Sequence, residues 1–472
     1  MVFSSMIFLW CFLPVCLAGY YLLRRPYRNI FLLLFSLFFY AWGEANALWV
    51  LLLAIVLNYG FGLLVERGVH TRLFVALAVI VNLGILGYFK YYNFFAENAR
   101  LLGLPVSAHS VIMPIGISFF TFQSLSYVID VYRAAQRGER AAQHNVLDLG
   151  LYVSFFPQLI AGPIVRYHDI AQQLRSRQET LPMCVTGIKR FICGLGKKVL
   201  IANVMGQLAD AIFALAPTSL GTLTAWCGAL AYTLQIYYDF AGYSDMAIGL
   251  GRMFGFTFLE NFDYPYLSKS VREFWRRWHI SLSSWFREYL YIPLGGNRKG
   301  SARTYFNLLL VFLATGLWHG ANWTFVLWGL YHGAFLIAER FLAKRAQAKP
   351  AGALRGALGH AYTMLVVVLG WVLFRCETLT GAAQYFTALF TFRSAAPMES
   401  VAFLADGSVL FTMAVAILLA GPIQLLLRGK IKQMCDSARA TLPQGVLFAA
   451  IFMLSAAALA AGQYNPFIYF RF

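Results

Sequence analysis

The stretch GLWHGANWTFVLWG, from Gly316 to Gly329, is apolar enough to lie in a membrane, yet it contains an imidazole and an amide. Polar groups are costly in hydrocarbon, so they usually face a partner, a cavity or a substrate. His319 and Asn322 are three residues apart and share one side of a continuous helix. Burial favours the neutral form of an imidazole, which is the form that accepts a proton. We therefore expect a helical membrane protein in which His319 is a catalytic base that Asn322 orients, rather than a structural histidine.

The composition of the whole chain is that of a polytopic membrane protein. Of its 472 residues, 60% are hydrophobic and only 12% are charged, whereas a soluble domain has about 25% charged residues. Apolar runs recur along the chain, and the length needed to cross a bilayer predicts roughly eleven spans. Several runs are short, so we expect an all-α fold that also contains tilted, re-entrant and interfacial helices.

The net charge of +18 does not indicate nucleic-acid binding, because the basic residues lie in short loops between apolar runs. That distribution follows the positive-inside rule and predicts which loops are cytoplasmic. We place the poorly basic segments Gly43–Leu48 and Glu377–Asp406 outside, and with them both chain ends. The first apolar run has no basic residue before it and no small-residue cleavage site after it, so it is expected to be a retained span. The predicted cytoplasmic loops are Arg24–Arg28, Glu66–Arg72, Arg133–Arg140, Glu339–Pro350 and Arg428–Lys432.

Motifs of soluble enzymes and of metal sites are missing from the sequence. The seven cysteines are scattered without a C-x-x-C pair, which predicts buried thiols and neither a disulfide framework nor a metal site. The match of His144–Asp148 to an H-x-x-x-D motif fixes only two positions, so we treat it as chance.

We treat residues 1–472 as one polytopic domain, which differences in local composition divide into four parts. Residues 1–98 are plain apolar spans and read as peripheral scaffold. Residues 114–340 are dense in glycine, proline, aromatic and ionisable residues, and we expect the catalytic core there because polar residues persist in membranes for functional reasons. Residues 341–361 form a cytoplasmic loop, and residues 362–472 contain further spans and an aromatic tail.

Polar residues in two other apolar stretches of this core suggest a wet cavity. Gln123 and Asp130 lie in one apolar helix, and Pro157 and Pro163 bracket another apolar run. Irregular backbone at membrane depth must be buried in protein or line water.

An intramembrane carboxylate, Asp239, lies in QIYYDFAGYSDMAIGLG, residues 235–251. It shares a helix face with Gly242 and Gly249, which suggests tight helix packing around a polar site. A structural hydrogen bond to a neighbouring span explains Asp239 equally well at this point.

The stretch VREFWRRWHISLSSWFREYLYIPLGG, residues 271–296, predicts an amphipathic interfacial helix. Aromatic residues recur every three or four positions, and Arg272, Arg276 and His279 belong to a neighbouring polar stripe. The simpler interpretation is an anchor to anionic membrane lipid. The alternative is that the arginines line the mouth of a site and hold an anionic substrate group.

These motifs resemble the membrane-bound O-acyltransferase family, in its bacterial polysaccharide branch. The matching stretches include residues 113–133, 154–166, 235–249, 272–296 and 317–333. The resemblance implies a membrane-embedded funnel or tunnel, with an acyl donor on the cytoplasmic side and an acceptor on the other side. The family's invariant histidine corresponds to His319, and its more variable polar position corresponds to His279. Asn322 and Asp239 are expected to support His319, while Arg272 and Arg276 lie at the donor's access route.

The function that this resemblance implies is acetyl transfer from acetyl-CoA, a substrate and not a bound cofactor, across the bacterial inner membrane. The acceptor is expected to be a periplasmic acetyltransferase or esterase-like partner that works with a polysaccharide synthesis complex. The polymer is expected to be cellulose or alginate, and the length of the chain slightly favours cellulose. Alternatives are peptidoglycan O-acetylation, a lipid or protein O-acyltransferase of the same family, and a transporter without covalent chemistry.

The C-terminal stretch GQYNPFIYFRF, Gly462–Phe472, is too apolar to extend freely into water. We expect it to fold back into a pocket, or else to anchor at the membrane interface as an aromatic belt does. FIYFRF also resembles the end of a small partner used by a related family member in teichoic acid D-alanylation. That resemblance implies that Tyr469 relays the acyl group outward from His319.

Overall fold

The computed structural model describes residues 1–106, 109–345, 352–427, 429–462 and 464–468. Helices and loops make up these residues, and no β-strand occurs among them, which confirms the predicted all-α fold. The first ten helices are α1 Leu13–Leu22, α2 Arg28–Glu44, α3 Leu48–Glu66, α4 Thr71–Leu86, α5 Tyr92–Leu101, α6 Ile117–Ala135, α7 Val146–Ser154, α8 Phe156–Leu159, α9 Tyr167–Arg175 and α10 Leu181–Gly196.

The remaining helices begin with α11 and carry most of the predicted core. They are α11 Asn203–Phe213, α12 Thr222–Met253, α13 Val271–Arg277, α14 Ile280–Phe286, α15 Gly300–His319, α16 Trp323–Arg345, α17 Ala353–Arg375, α18 Leu379–Phe390, α19 Val401–Leu404, α20 Gly407–Leu419, α21 Pro422–Leu426, α22 Lys430–Asp436 and α23 Leu442–Ala460. Short π-helical turns occur at Phe8–Phe12, Gly87–Tyr91, Lys197–Ala202 and Arg287–Tyr291, and 3₁₀ turns at Arg25–Tyr27, Ala45–Ala47, Pro265–Leu267 and Pro397–Glu399.

Helices long and apolar enough to cross a bilayer occur throughout the described chain. There are six such helical segments, the longest of 42 residues, and two shorter apolar helices, Phe8–Leu22 and Gly407–Leu419. Since one crossing needs about 20 residues, the longest segment is more than one crossing long. The six are Arg25–Glu66, Thr71–Leu101, Leu181–Phe213, Trp323–Ala343, Ala353–Arg375 and Leu442–Ala460. The predicted multi-pass membrane protein is confirmed, and the predicted total of spans stays a prediction.

The chain forms two compact units. The first contains Met1–Phe191 with Ser244–Leu259, and the second contains Ile192–Tyr243 with the chain from Glu260 onward. In the first unit, α3 and α4 are joined by reciprocal amide hydrogen bonds between Asn58 and Asn82, of 3.0 and 2.8 Å. Such paired polar groups hold helices together where the surroundings are apolar. The prolines at 157 and 163 interrupt helix as expected, because α8 is one short turn and irregular backbone follows it to α9.

In the second unit, α15 and α16 form a tightly packed helical hairpin. A Cβ atom added at Gly316 would lie 2.3 Å from the carbonyl oxygen of Phe325, and one added at Gly329 would lie 2.3 Å from that of Phe312. Only glycine permits this approach of two backbones, which explains both glycines of the opening stretch. The hairpin fixes the place of the residues at its turn, including His319.

The prediction of one amphipathic helix that runs from Val271 to the turn at Pro293–Gly296 is wrong. Helix α13 ends at Arg277, and His279 adopts a left-handed conformation with φ 45° and ψ 55° before α14 begins. The aromatic face also does not lie among lipid headgroups, because Trp275, Trp278 and Trp285 are all buried in the protein. Helical periodicity alone does not reveal a single left-handed residue. Such a residue changes the direction in which all later side chains of the stretch point.

Candidate active site

His319 is the last residue of α15 and is only 5% exposed. Its imidazole packs edge-to-face against three rings, with centroid distances of 5.0 Å to Trp318, 5.2 Å to Trp328 and 5.1 Å to Phe374. These rings come from α15, α16 and α17, so the helical hairpin and the helix after it together build an aromatic box around the imidazole. The box leaves the imidazole almost fully buried.

Asn322 does not share a helix with His319, because α15 ends at His319 and α16 begins at Trp323. The Asn322 amide oxygen accepts a hydrogen bond of 3.1 Å from the backbone N–H of Thr324, as a helix-capping residue does. Its amide nitrogen donates to the carbonyl oxygen of Glu377 at 2.6 Å. Among the described residues, Asn322 has no recorded contact with His319, so its expected role in orienting the imidazole has no support from this geometry.

His279 is 1% exposed and lies at the break between α13 and α14. Its Nδ1 is 3.2 Å from the Oδ1 atom of Asn261. Its ring packs against Phe240 at 4.6 Å and, more loosely, against Trp318 at 6.0 Å. Because Trp318 also packs against His319, the structure brings the two histidines expected at the site to one buried ring.

His332 is a third buried imidazole, which the sequence did not place at the site. On one continuous helix from 316 to 332, its side chain would point away from that of His319. The turn between α15 and α16 resets the helical phase, and the His332 ring packs 5.1 Å from Trp328 and 5.1 Å from Trp275. Trp328 therefore contacts both imidazoles. The i, i+4 spacing of a tryptophan and a histidine on α16 was the available signal. We call His279, Trp318, His319, Trp328 and His332 the histidine cluster.

Arg272 and Arg276 lie on the exposed side of α13, away from the buried residues of that helix. They line an open pocket of about 570 Å³ together with four further residues, Asp263, Ser270, Glu273 and Arg277. Arg277 is engaged with carboxylates, at 3.0 Å from Glu273 and 3.4 Å from Asp263. Trp275, on the buried face of α13, contacts Trp328 at 5.6 Å. The arginine pocket and the histidine cluster thus lie on two faces of one short helix.

Asp239 lies in a buried ion pair instead of beside His319. Its Oδ1 atom is 2.8 Å from Lys198 Nζ, and the side chains are 1% and 3% exposed. Its Oδ2 atom accepts a 2.9 Å hydrogen bond from the backbone N–H of Ile468. The close packing predicted from the neighbouring glycines is present, since a Cβ at Gly242 would lie 2.8 Å from the carbonyl oxygen of Gly194. The structural interpretation of Asp239 fits this geometry, and no recorded contact among the described residues joins it to His319.

The C-terminal segment folds back into the second unit, as predicted, over residues 464–468. Tyr464 donates to Asp210, and the backbone carbonyl of Pro466 accepts from Lys198. Asn465 accepts from Asn203 at 3.2 Å, and Phe467 stacks on Tyr243 with centroids 4.6 Å apart. We call Lys198, Asn203, Asp210 and Asp239 the tail clamp. Tyr469, the candidate acyl relay, lies outside the described residues.

Metal-ligating side chains do not gather in the described part of the chain, where no group of three or more His, Cys, Asp or Glu could hold an ion. The seven cysteines all lie among the described residues and form no disulfide bond, and the sulfur atoms of Cys193 and Cys435 lie 3.4 Å apart. The ionisable groups considered for the site are the buried imidazoles and the arginines of the open pocket.

Comparison with known proteins gives a family and named relatives. The family model for "MBOAT, membrane-bound O-acyltransferase family" matches residues 38–380. The "Probable alginate O-acetylase AlgI" of Pseudomonas aeruginosa is 48% identical over 401 residues, which cover 83% of this chain and 75% of that protein. The protein of the same name from Pseudomonas putida is 44% identical and is covered over 100% of both chains. The "Peptidoglycan O-acetyltransferase" of Helicobacter pylori is 39% identical over 81% of this chain and 79% of its own.

Proposed function

Because the chain belongs to the membrane-bound O-acyltransferase family, we propose that it moves acetyl groups from cytoplasmic acetyl-CoA across the bacterial inner membrane for O-acetylation of an exported polysaccharide. Family membership makes the chain an acyltransferase, and its six long apolar helical segments make it a multi-pass membrane protein. The observation that carries the proposal is the packing of His279 and His319 against one buried ring, Trp318.

Alginate is the polymer that the relatives favour. Two relatives of 48% and 44% identity are named as alginate O-acetylases, and none of the relatives described above is named for cellulose. The lean towards cellulose therefore gains no support. Peptidoglycan is the second candidate, because one relative of 39% identity is named for it. We further propose that a secreted partner completes the transfer to polymer, since this chain's own site is buried in a membrane protein.

His319 acts in this proposal as the general base, or as the group that positions the thioester. In this proposal the imidazole is neutral, because burial among three aromatic rings disfavours the charged form. A neutral imidazole can take the proton of an attacking hydroxyl as the acyl carbon is transferred.

Arg272 and Arg276 bind the phosphates of acetyl-CoA in this proposal. Both guanidinium groups are exposed at an open pocket, and arginine suits phosphate because its planar fork matches two phosphate oxygens. The contact of Trp275, on the buried face of the same helix, with Trp328 supports a short path from pocket to histidine cluster.

Tyr469 receives the acetyl group and presents it to the partner. The support is its position directly after a segment, residues 464–468, that is held by five side chains of the second unit. A phenol has a pKa of about 10, so its ester leaves more readily than an ester of a sugar hydroxyl. Transfer from Tyr469 to a polymer hydroxyl would therefore be downhill.

The experiment that tests the function replaces the chromosomal gene with the His319→Ala variant and measures acetyl on each candidate polymer. We expect alginate acetylation to disappear while the protein remains at normal level in the inner membrane. Loss of peptidoglycan acetylation alone would assign the second candidate. Normal acetylation of both polymers would refute the proposal.

The donor assignment is tested in proteoliposomes with the charge-removing variants Arg272→Gln and Arg276→Gln. We expect a higher KM for acetyl-CoA, and Arg298→Gln serves as a matched control because Arg298 is exposed but does not line the pocket. An unchanged KM in both variants would contradict the donor assignment.

The relay is tested by Tyr469→Phe, which removes only the phenol oxygen. We expect polymer acetylation to fail and, in the wild-type protein without its partner, peptide mass analysis to find acetyl on Tyr469. Tyr464→Phe is the control in the same tail, since it alters docking at Asp210 without removing the relay hydroxyl. Normal acetylation by Tyr469→Phe would make Tyr469 an anchor.

A further inference from the structure

Asn261 contacts three consecutive residues of the turn, His279, Ile280 and Ser281. Its backbone carbonyl accepts from the N–H of Ile280 at 3.0 Å. Its side-chain Oδ1 accepts from the backbone N–H of Ser281 at 3.2 Å and from the Ser281 hydroxyl at 2.9 Å. The same Oδ1 atom is 3.2 Å from His279 Nδ1. A residue far along the chain thus fixes the left-handed turn, and left-handed non-glycine residues persist only where their surroundings hold them.

The hydrogen-bond chemistry at Asn261 assigns the proton on His279. A backbone N–H can only donate, so the Asn261 atom that faces Ser281 must be its oxygen and not its nitrogen. An amide oxygen can only accept, so His279 Nδ1 must carry a hydrogen and donate it. In a neutral imidazole the other nitrogen, Nε2, then carries the lone pair.

The lone pair on Nε2 is buried and has no hydrogen-bond partner among the described residues. The groups recorded around His279 are Asn261, Ser281, Phe240 and Trp318, and none of them is charged. Burial also lowers the pKa of His279, which keeps the imidazole neutral. A buried acceptor without a donor is costly, and the hydroxyl of an incoming ligand is a donor that could pair with it.

We propose that Asn261 is a positioning residue, which locks His279 in its Nδ1–H tautomer so that Nε2 accepts the proton of the acyl-accepting hydroxyl. The inference rests on the proposed acetyl transfer and assigns each histidine a separate role: His279 is the base, and His319 lies beside the thioester. As the hydroxyl oxygen bonds to the acyl carbon, its proton passes to Nε2 and the C–S bond breaks with its electrons on sulfur. Nε2 then returns the proton to the thiolate, which leaves as the free thiol.

Two substitutions at Asn261 distinguish a role in fixing the tautomer of His279 from a role in holding the turn. Asn261→Asp keeps an oxygen for His279 and Ser281 but adds a negative charge that stabilises the imidazolium. Because a base works only when deprotonated, its activity is lost as pH falls through its pKa, and a raised pKa moves that loss to higher pH. Asn261→Leu removes the acceptor, and loss of one hydrogen bond predicts a decrease in kcat of about 5- to 10-fold.

The measurement is kcat and the KM for acetyl-CoA across pH, with full-length protein in proteoliposomes. We expect Asn261→Asp to shift the acidic limb of kcat upward, and Asn261→Leu to lower kcat at unchanged KM. Asn307→Leu is the matched control, a buried asparagine that bonds the carbonyl of Gly296 at 3.0 Å; it should lower thermal stability without moving the pH profile.

A wild-type pH profile in Asn261→Asp would overturn the proposal, and this variant decides the question even if Asn261→Leu does not fold. Asn261 variants that lose only thermal stability, as the control does, would likewise reduce Asn261 to a structural role. If wild-type protein transfers no acetyl at all, the proposed function fails and this inference falls with it; if wild type is active, only the tautomer assignment is at stake.

Discussion

The histidine cluster and the tail clamp are both buried and both contain ionisable side chains, but their bonding differs. In the tail clamp, Lys198 and Asp239 neutralise each other at 2.8 Å and bind the backbone of the C-terminal segment. In the histidine cluster, the imidazoles pack mainly against aromatic rings, and His332 has no hydrogen-bond partner for either ring nitrogen among the described residues.

The contrast separates buried groups that hold a structure from buried groups that can meet a substrate. A carboxylate whose two oxygens are already bound has little capacity left for a reacting molecule, which fits Asp239 as part of a docking site. A lone pair such as that on His279 Nε2 remains available. Burial and polarity alone did not distinguish these two kinds of residue in the sequence, since both are rare and costly in a membrane.

The largest effect is expected within the histidine cluster, from the variants His279→Ala and His319→Ala. Each should lower the rate of acetyl transfer by about 10² to 10⁴-fold. If both act in one step, the double variant should be about as slow as the worse single variant, because residues that act as a unit are not additive. If the double variant instead shows the product of the two single decreases in rate, the imidazoles act independently and the cluster does not work as one unit.

The tail clamp should respond in stability first. Lys198→Met leaves Asp239 buried without a counter-ion, which should destabilise the protein by about 3–5 kcal/mol. Thermal unfolding in detergent measures this, and Lys198→Met combined with Asp239→Leu should recover part of the loss because no isolated charge then remains. Equal stability of Lys198→Met and wild type would mean that the ion pair does not hold the tail.

The helical hairpin that positions His319 should tolerate no added methyl group. Gly316→Ala forces a backbone contact at 2.3 Å and should cost about 1–3 kcal/mol through overpacking. Gly445→Ala in α23 is the matched control, since a Cβ there meets nothing within 4 Å. Gly316→Ala should therefore lower the temperature of thermal unfolding clearly. Gly445→Ala should change that temperature little or raise it. A stable and fully active Gly316→Ala would show that the hairpin does not set the histidine geometry.

The smallest effect is expected from Asn322→Ala. Loss of the cap on α16 should cost about 1 kcal/mol of stability. The rate of acetyl transfer per folded molecule should stay near that of wild type, because Asn322 bonds Thr324 and Glu377 and not His319. A collapse of the rate without a change in stability would restore the catalytic role first expected for this amide.

Local sequence predicted the fold class, and it also gave a prediction for the site. Apolar runs predicted a helical membrane protein, which is confirmed, and the aromatic tail predicted a docked C-terminus; the catalytic core in the middle of the chain stays a prediction. The prediction for His319 drew on a short apolar stretch with a histidine between glycines, all of it within one hairpin. These features depend on neighbours along the chain.

The features that the sequence did not predict depend on partners far along the chain. The break at His279 is held by Asn261, and Asp239 is bound by Lys198 and Ile468. His332 contacts Trp275 on α13, a helix far from it along the chain, whereas its contact with Trp328 lies within α16. Helical periodicity carries no information about a single left-handed residue or about which buried lysine faces a given carboxylate.

The most direct test of the site is the release of free CoA from acetyl-CoA by purified protein in proteoliposomes, compared between wild type and His319→Ala and paired with thermal unfolding of both. We expect CoA release by His319→Ala to fall by about 10² to 10⁴-fold while its unfolding temperature stays that of wild type. Wild-type CoA release by a folded His319→Ala protein would contradict the assignment of acyl transfer to the histidine cluster.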